Sequence, residues 1–157
     1  MTRRLKRRRK EAKTDYRARL ALLKSEKPRL VIRRTNRYLI AQLVESDIAQ
    51  DKVIMSVTSK DLISKGWPSE KIGSLKSLPA AYLTGYLIGK MGKQKIKEAV
   101  LDIGMHRNMH KSRIYAVLKG AVDAGLIVPH SKEALPEIDK ITKNKQSINI
   151  EKIKEKM

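Results

Sequence analysis

Cysteine is absent from this 157-residue sequence, phenylalanine is absent too, and aromatic residues make up only 4% of it. Without cysteine there is no disulfide, no thiolate zinc site and no cysteine nucleophile. So few aromatics also argue against single strands stacking on an aromatic sheet face. Acids are scarce: 16 Asp or Glu stand against 36 Lys or Arg, a formal charge of +20. No apolar run approaches the ~20 residues needed to span a bilayer. The basic amino end is followed by no apolar segment, so it does not read as a secretory signal. No phosphate-cradling glycine loop occurs.

What is present is positive charge, unevenly spread. Residues 1–37 hold 16 Lys or Arg and three acids (Glu11, Asp15 and Glu26), a net +13 that leaves +7 for the other 120 residues. Repulsion on this scale is tolerable when a polyanion neutralises it, and nucleic acid is the usual one. The composition indicates a soluble, cytoplasmic nucleic-acid-binding protein of one domain with extensions. Its main electrostatic grip is expected on the first quarter of the chain.

The stretch Glu98–Ser131 organises the rest. Ala99 to Ile103 reads as a buried strand, broken by Gly104. A polar loop with His106, Arg107, Asn108, His110 and Lys111 follows. Ser112 is placed to cap a helix through its hydroxyl. Ile114, Val117, Leu118, Ala121 and Val122 recur at helical spacing, and Gly125 and Pro129 end the helix. Cations and ring nitrogens therefore meet a helix N-terminus, a natural place for an anion.

Taken from the start, residues 1–13 have no core-building pattern. They read as a disordered tail, an import tag, or an arm that orders against RNA, and the total charge favours the arm. Thr14 is expected to cap a short helix with Tyr16, Leu20 and Leu23 on one side and Arg17 and Arg19 outside. Lys27-Pro28 ends it. Arg29 to Glu45 forms a hairpin, Leu30–Ile32 pairing with Tyr38–Val44 around a tight turn at Thr35-Asn36. Arg33, Arg34 and Arg37 crowd its tip, a cluster that suits phosphate or base-edge contacts better than mere solubility. Val53 to Val57 adds a third strand. Asp61, Leu62 and Ile63 suggest a short helical turn, and Trp67 an anchor packing its loop on the core. Lys71 to Lys76 is expected to be mobile. Ser77 to Met91 is a helix with Pro79 in its first turn and Ala80, Leu83, Leu87, Ile88 and Met91 buried. Gly85 and Gly89 suggest close packing of this helix on the sheet, with a dimer contact as the other option. A helix between strands implies a crossover and a parallel strand. Beyond residue 136 the sequence is repetitive and weakly amphipathic, giving a loosely ordered tail or a short helix docking on a neighbour.

Catalytic chemistry finds little support. His106 and His110 are four apart but precede the helix, and no zinc-protease carboxylate accompanies them. Asp47, Asp61 and Asp102 could be imagined as a Mg²⁺-binding nuclease set, yet nothing in their spacing supports it. We expect no catalytic residue, metal or cofactor. Backbone charge and shape recognition of folded RNA remain.

The segments TDYRARLALLKSEKPRLVIRRTNRYLIAQLVE, SLPAAYLTGYLIGKM, EAVLDIGMHRN and KGAVDAGLIVPHS, in this order over roughly residues 3–135, resemble one family. It is the archaeal and eukaryotic branch of the large-subunit ribosomal protein L-eighteen, which binds 5S rRNA. The resemblance implies a mixed α/β fold: an antiparallel three-strand meander extended by a parallel strand, packed by two main helices, with a basic N-terminal extension. It implies a structural role attaching 5S rRNA to 23S rRNA in the central protuberance, beside neighbouring large-subunit ribosomal proteins. RNA contacts would fall on Arg3, Arg4, Lys6, Arg7, Arg8, Arg9, Lys10 and Lys13 of the arm, with Arg17 just beyond it. Further contacts would fall on Arg33, Arg34, Asn36 and Arg37, and on His106, Arg107, His110, Lys111, Ser112 and Arg113. Eukaryotic members are longer at the carboxyl end, so the length points to an archaeal protein. The expected organisation is an arm (1–13), a 5S rRNA-binding domain (14–135) and a tail (136–157). An RNA-processing nuclease and a general nucleic-acid-compacting protein stand as the alternatives.

Overall fold

The computed structural model describes residues 6–48, 50–142 and 150–157. Its centre is a four-stranded mixed sheet in the order β3-β2-β1-β4. The strands are β1 (Arg29–Arg34), β2 (Leu39–Asp47), β3 (Gln50–Thr58) and β4 (Val100–Asp102). The first three form the antiparallel meander, and β4 joins β1 in parallel, as a crossover through a helix requires. The mixed α/β expectation is borne out.

Leu30 and Ile32 point to one face of β1 and are fully buried, while Val31 on the other face is nearly so. Both faces of this strand are covered, which explains its unbroken apolar run. The hairpin tip differs from expectation. Asn36 does not adopt positive φ. Instead Thr35 closes the turn: its N–H donates to the Tyr38 carbonyl at 2.9 Å and its hydroxyl to the same oxygen at 2.7 Å. β4 is shorter than the Ala99–Ile103 run and half-exposed, because it forms an edge of the sheet rather than its buried centre.

Two main helices, α3 (Leu78–Gly92) and α4 (Arg113–Asp123), pack on one face of the sheet. α3 is buried on nearly all sides, since it meets the sheet, α4 and a second apolar cluster. Met91 is the exception to its expected stripe, at 45% exposed. Gly85 and Gly89 do serve close packing, but against α4 rather than the sheet. A Cβ on Gly85 would fall onto the Val117 carbonyl, one on Gly89 would lie 2.7 Å from the Ala121 carbonyl oxygen, and one on Gly120 would fall onto the Tyr82 carbonyl. The two backbones touch. α4 ends in a Schellman motif at Gly125 (φ +103°), with Leu126 N–H donating to Ala121 O at 3.1 Å and Gly125 N–H to Val122 O at 2.9 Å.

The second cluster is built from Leu62, Trp67, Leu75, Ala80, Tyr82 and Leu83, and is completed from the carboxyl end by Ile141, Ile150 and Ile153. Trp67 is 3% exposed and donates its indole N–H to the Lys71 carbonyl, the anchor that the sequence suggested. Of Lys71 to Lys76, expected to be mobile, Lys71 to Ser74 lie in the 3₁₀ segment Ser69–Ser74, whose Lys71 carbonyl accepts that bond. The short helices α5 (Ile138–Thr142) and α6 (Ile150–Glu155) pack on the protein's own α3. Lys154 reaches the Tyr82 hydroxyl at 2.8 Å and lies 4.7 Å over its ring. That hydroxyl donates to Asp123 at 2.7 Å, and burial together with the Asp123 carboxylate pushes the Tyr82 pKa well above its usual range.

Two outcomes follow. Gly85→Ala must push α3 and α4 apart and should cost roughly 1–3 kcal/mol or more in chemical unfolding, with no change at the basic surface. Removing residues 150–157 uncovers the Trp67 cluster. It should red-shift the emission of this single tryptophan and cost up to roughly 1.5–3 kcal/mol for each lost buried isoleucine.

Candidate nucleic-acid interface

The face of the sheet opposite α3 and α4 carries Arg29, Val31, Arg33, Ile40, Gln42 and Val44, alternate residues of β1 and β2 brought into register by their antiparallel pairing. Above this face lies α2 (Tyr16–Leu23). Asp15, not Thr14, caps it, accepting from the Arg17 and Ala18 N–H groups at 2.9 and 3.2 Å. Thr14 instead accepts from Arg8 Nε at 2.8 Å and so ties the arm to α2. The helix does not bury the expected Tyr16–Leu20–Leu23 side: Leu20 is 57% exposed. Arg19 turns inward instead, both its hydrogen bonds to the Asp51 carboxylate being 2.9 Å.

This inward turn is set by a charge network. Arg29, 3% exposed, donates to Asp102 Oδ2 at 2.7 Å, to Asp51 Oδ1 at 2.8 Å and to Ser46 Oγ at 2.9 Å. One guanidinium thus joins β1 to β2, β3 and β4, and Asp51 passes the linkage to α2. Burial pushes the Asp51 pKa up, but the Ser46 and Arg19 hydrogen bonds and the two guanidinium charges outweigh it and hold it below its ordinary value. Asp102 is therefore a structural ion-pair partner. Asp61 accepts from the Thr58 N–H at 2.8 Å at the start of the 3₁₀ helix Ser59–Lys65, and Asp47 sits at the far end of β2. The three imagined nuclease acids do not converge, and no cluster of metal-binding side chains exists among the described residues.

Between α2 and the sheet lies an open groove of about 920 Å³. Arg8 and Lys13 of the arm, Arg19, Arg33 and Arg34 line it together with His106. Residues nearly a hundred positions apart meet here because β4 pairs with β1, so the loop after β4 comes to the hairpin tip. The Arg34 N–H donates to His106 Nε2 at 3.1 Å. Burial, with Arg34 and Arg33 close by, lowers the His106 pKa below its usual 6.5, so the ring is neutral and carries its proton on Nδ1.

The remaining candidates are placed as follows. Arg3 and Arg4 lie outside the described residues. Lys6 lies 4.5 Å over the Tyr16 ring, and Arg7 and Lys13 pair with Glu11 at 3.8 and 2.9 Å. Arg9, Lys10 and Arg17 are exposed. Asn36 and Arg37 sit at the exposed tip, where sequence reasoning missed two companions: Lys76 Nζ donates to the Asn36 carbonyl at 2.9 Å, and Lys60 lies 4.6 Å over Tyr38. Neither lysine is near the tip in sequence. Arg107, His110, Lys111, Ser112 and Arg113 do not line the groove. His110 meets Tyr115 edge-on with ring centroids 6.1 Å apart, and Lys111 (φ +57°) pairs with Glu137 at 3.3 Å. Ser112 holds the N-cap position of α4, but its hydroxyl makes no capping bond there.

The family model for ribosomal large subunit proteins 60S L5 and 50S L18 matches residues 3–98 and 90–131. A large ribosomal subunit protein uL18 from Korarchaeum cryptofilum is 54% identical over 136 residues, 86% of this chain and 68% of the relative. The uL18 proteins of Aeropyrum pernix and Methanothermobacter thermautotrophicus are each 47% identical, over 86% of this chain and 62% and 69% of their own lengths. With relatives of this kind, this basic mixed α/β domain is a structural protein of the large ribosomal subunit and not an enzyme. The chain belongs to the family of large-subunit proteins 60S L5 and 50S L18, as an archaeal-type member.

The two perturbed groups on this face predict how stability depends on pH. Asp51 and His106 have folded values below their ordinary 3.8 and 6.5. Each contribution is complete above the ordinary value and is lost as pH falls through the lower folded one. Chemical unfolding should therefore show stability declining in two steps, one below pH 6.5 and one below pH 3.8. His106→Gln, which keeps an acceptor without a titrating ring, should flatten only the upper step.

Proposed function

We propose that the chain binds 5S rRNA and attaches it to 23S rRNA in the central protuberance, alongside neighbouring large-subunit proteins. The observation that carries this reading is the convergence of Arg8, Lys13, Arg33, Arg34 and His106 on one open groove. Family membership supports it, since such a protein sits on the large ribosomal subunit. Residues 1–13 act as the arm, 14–135 as the binding domain and 136–157 as a tail. Arg7 to Lys10 form one helical turn of four consecutive cations. Their mutual repulsion falls when phosphates lie alongside, so RNA favours the ordered arm. Arg33, Arg34 and Arg37 have no side-chain ion pair among the described residues and stand exposed, as phosphate-contacting cations should. Arg107, His110, Lys111, Ser112 and Arg113 form a second contact region beside the groove.

Affinity arises mainly from phosphate neutralisation and counterion release, so it falls steeply with salt. Deleting residues 1–13 should weaken binding to 5S rRNA and reduce the logarithmic salt slope by about 0.7–0.9 for each phosphate the arm contacts. An unchanged slope would remove the arm from the interface. Labelled 5S rRNA challenged with excess tRNA and duplex DNA separates this reading from general compaction. A specific 5S binder resists both competitors, whereas a compacting protein yields equally to duplex DNA.

A further inference from the structure

The carboxyl-terminal helix α6 has six residues, too few to persist as a helix in water by themselves. Its placement therefore rests on what it touches. Ile150 and Ile153 enter the second apolar cluster, while Lys154, the next residue, meets α3 through its charge. Its ammonium lies 4.7 Å over the Tyr82 ring and 5.0 Å over the Tyr86 ring, and it donates to the Tyr82 hydroxyl at 2.8 Å. Tyr82 and Tyr86 stand about one turn apart on α3, so their rings face the same group. Lys6 and Lys60 each lie over one tyrosine ring, Lys154 over two. Among the described residues no carboxylate pairs with Lys154 directly. Asp123, at the end of α4, acts through the Tyr82 hydroxyl. By accepting its proton at 2.7 Å, Asp123 turns the oxygen lone pairs toward the ammonium. Two ring faces and an oriented hydroxyl backed by a carboxylate are the chemistry that recognises a lysine ammonium. The family model ends at residue 131, so the rings and Asp123 belong to the matched domain and Lys154 lies beyond it.

We propose that Tyr82, Tyr86 and Asp123 form a binding site for a lysine ammonium, filled by Lys154 of the chain's own tail, and that this charge keeps α6 closed over the Trp67 cluster. The site lies on the helical side of the sheet, away from the groove, and does not rest on the RNA-binding reading. With the ammonium in place, α6 is tied to α3 directly and to α4 through the Tyr82–Asp123 bond. Without it, Ile150 and Ile153 alone hold a single short helix, and local opening bares the apolar face built from Trp67, Leu75 and Leu83. The tail is thus a lid locked by one charge, and loss of that charge opens it.

The test follows amide hydrogen exchange of α6 in the full chain. Lys154→Met keeps an unbranched side chain and adds apolar surface but removes the charge. It should speed exchange in α6 about tenfold, whereas a purely apolar contact would hold as well or better. Lys154→Arg, whose guanidinium also stacks on rings, should stay within about twofold of the natural chain. Tyr86→Leu keeps apolar bulk without the ring face and should match Lys154→Met, and the double variant should exchange no faster than either single one. Unchanged exchange in α4 certifies the fold of each variant. Where Tyr86→Leu disturbs α4, the two Lys154 variants alone decide the result. A Lys154→Met chain that exchanges as slowly as the natural one overturns the site, because apolar burial then suffices. Equal acceleration by Lys154→Arg, or additive acceleration in the double variant, overturns it as well.

Discussion

One buried guanidinium holds the working parts of this protein in place. Arg29 stands at the start of β1, where its ion pairs with Asp51 and Asp102 and its bond to Ser46 reach three other strands. A buried charge of this kind adds little stability over a well-packed apolar residue. Leaving it without its partners, however, costs about 3–5 kcal/mol. Its effect is therefore one of arrangement. Only the pairing that sets β4 beside β1 and brings Asp51 across from β3 gives its two terminal nitrogens their carboxylate partners, and the same pairing places α2 over the open face through Arg19. The groove exists because that network closes.

Charge and packing divide the molecule into two sides. The helical side is dense, with α3 and α4 in backbone contact and a second cluster sealed from the carboxyl end. The open side is lightly covered, by a short helix with no buried residue and an arm tied by single hydrogen bonds. Cations collect on the open side, where repulsion can be relieved by a polyanion without disturbing the core. His106 ties the loop after β4 to the hairpin tip by accepting from the Arg34 backbone, and being neutral it adds no charge to that crowd.

Much of the fold was legible in the residues. The meander followed from apolar runs and turns, the parallel strand from a helix lying between strands, and the end of α4 from Gly125. Local patterns misled where a partner distant in sequence decided the outcome. Arg19 looked like a solvent-facing residue until Asp51 drew it inward. Met91 fitted the helical stripe of α3 but lies beyond the elements that cover it. Gly85 and Gly89 advertised a close approach without naming α4 as what approaches. Asp15 took the cap expected of Thr14, two acceptor residues side by side being hard to rank by sequence alone. Of the candidate site, the arm and the hairpin arginines were visible as charge, whereas Lys60 and Lys76 became visible only when the 3₁₀ segments folded back to the tip.

By itself the sequence determined the chemical character of this protein. A +20 charge with +13 of it in the first 37 residues, and a lack of cysteine, suit a chain whose partner is a polyanion, and these are properties of composition that hold in any conformation. Tertiary structure alone decided which cations act together. Ion pairs and hydrogen bonds between residues tens of positions apart depend on strand register and helix placement, and these satisfy the whole core at once rather than any local pattern. That is why Arg8, Arg33 and His106 share one groove while Arg107 and Lys111, their close neighbours in sequence to His106, do not line it.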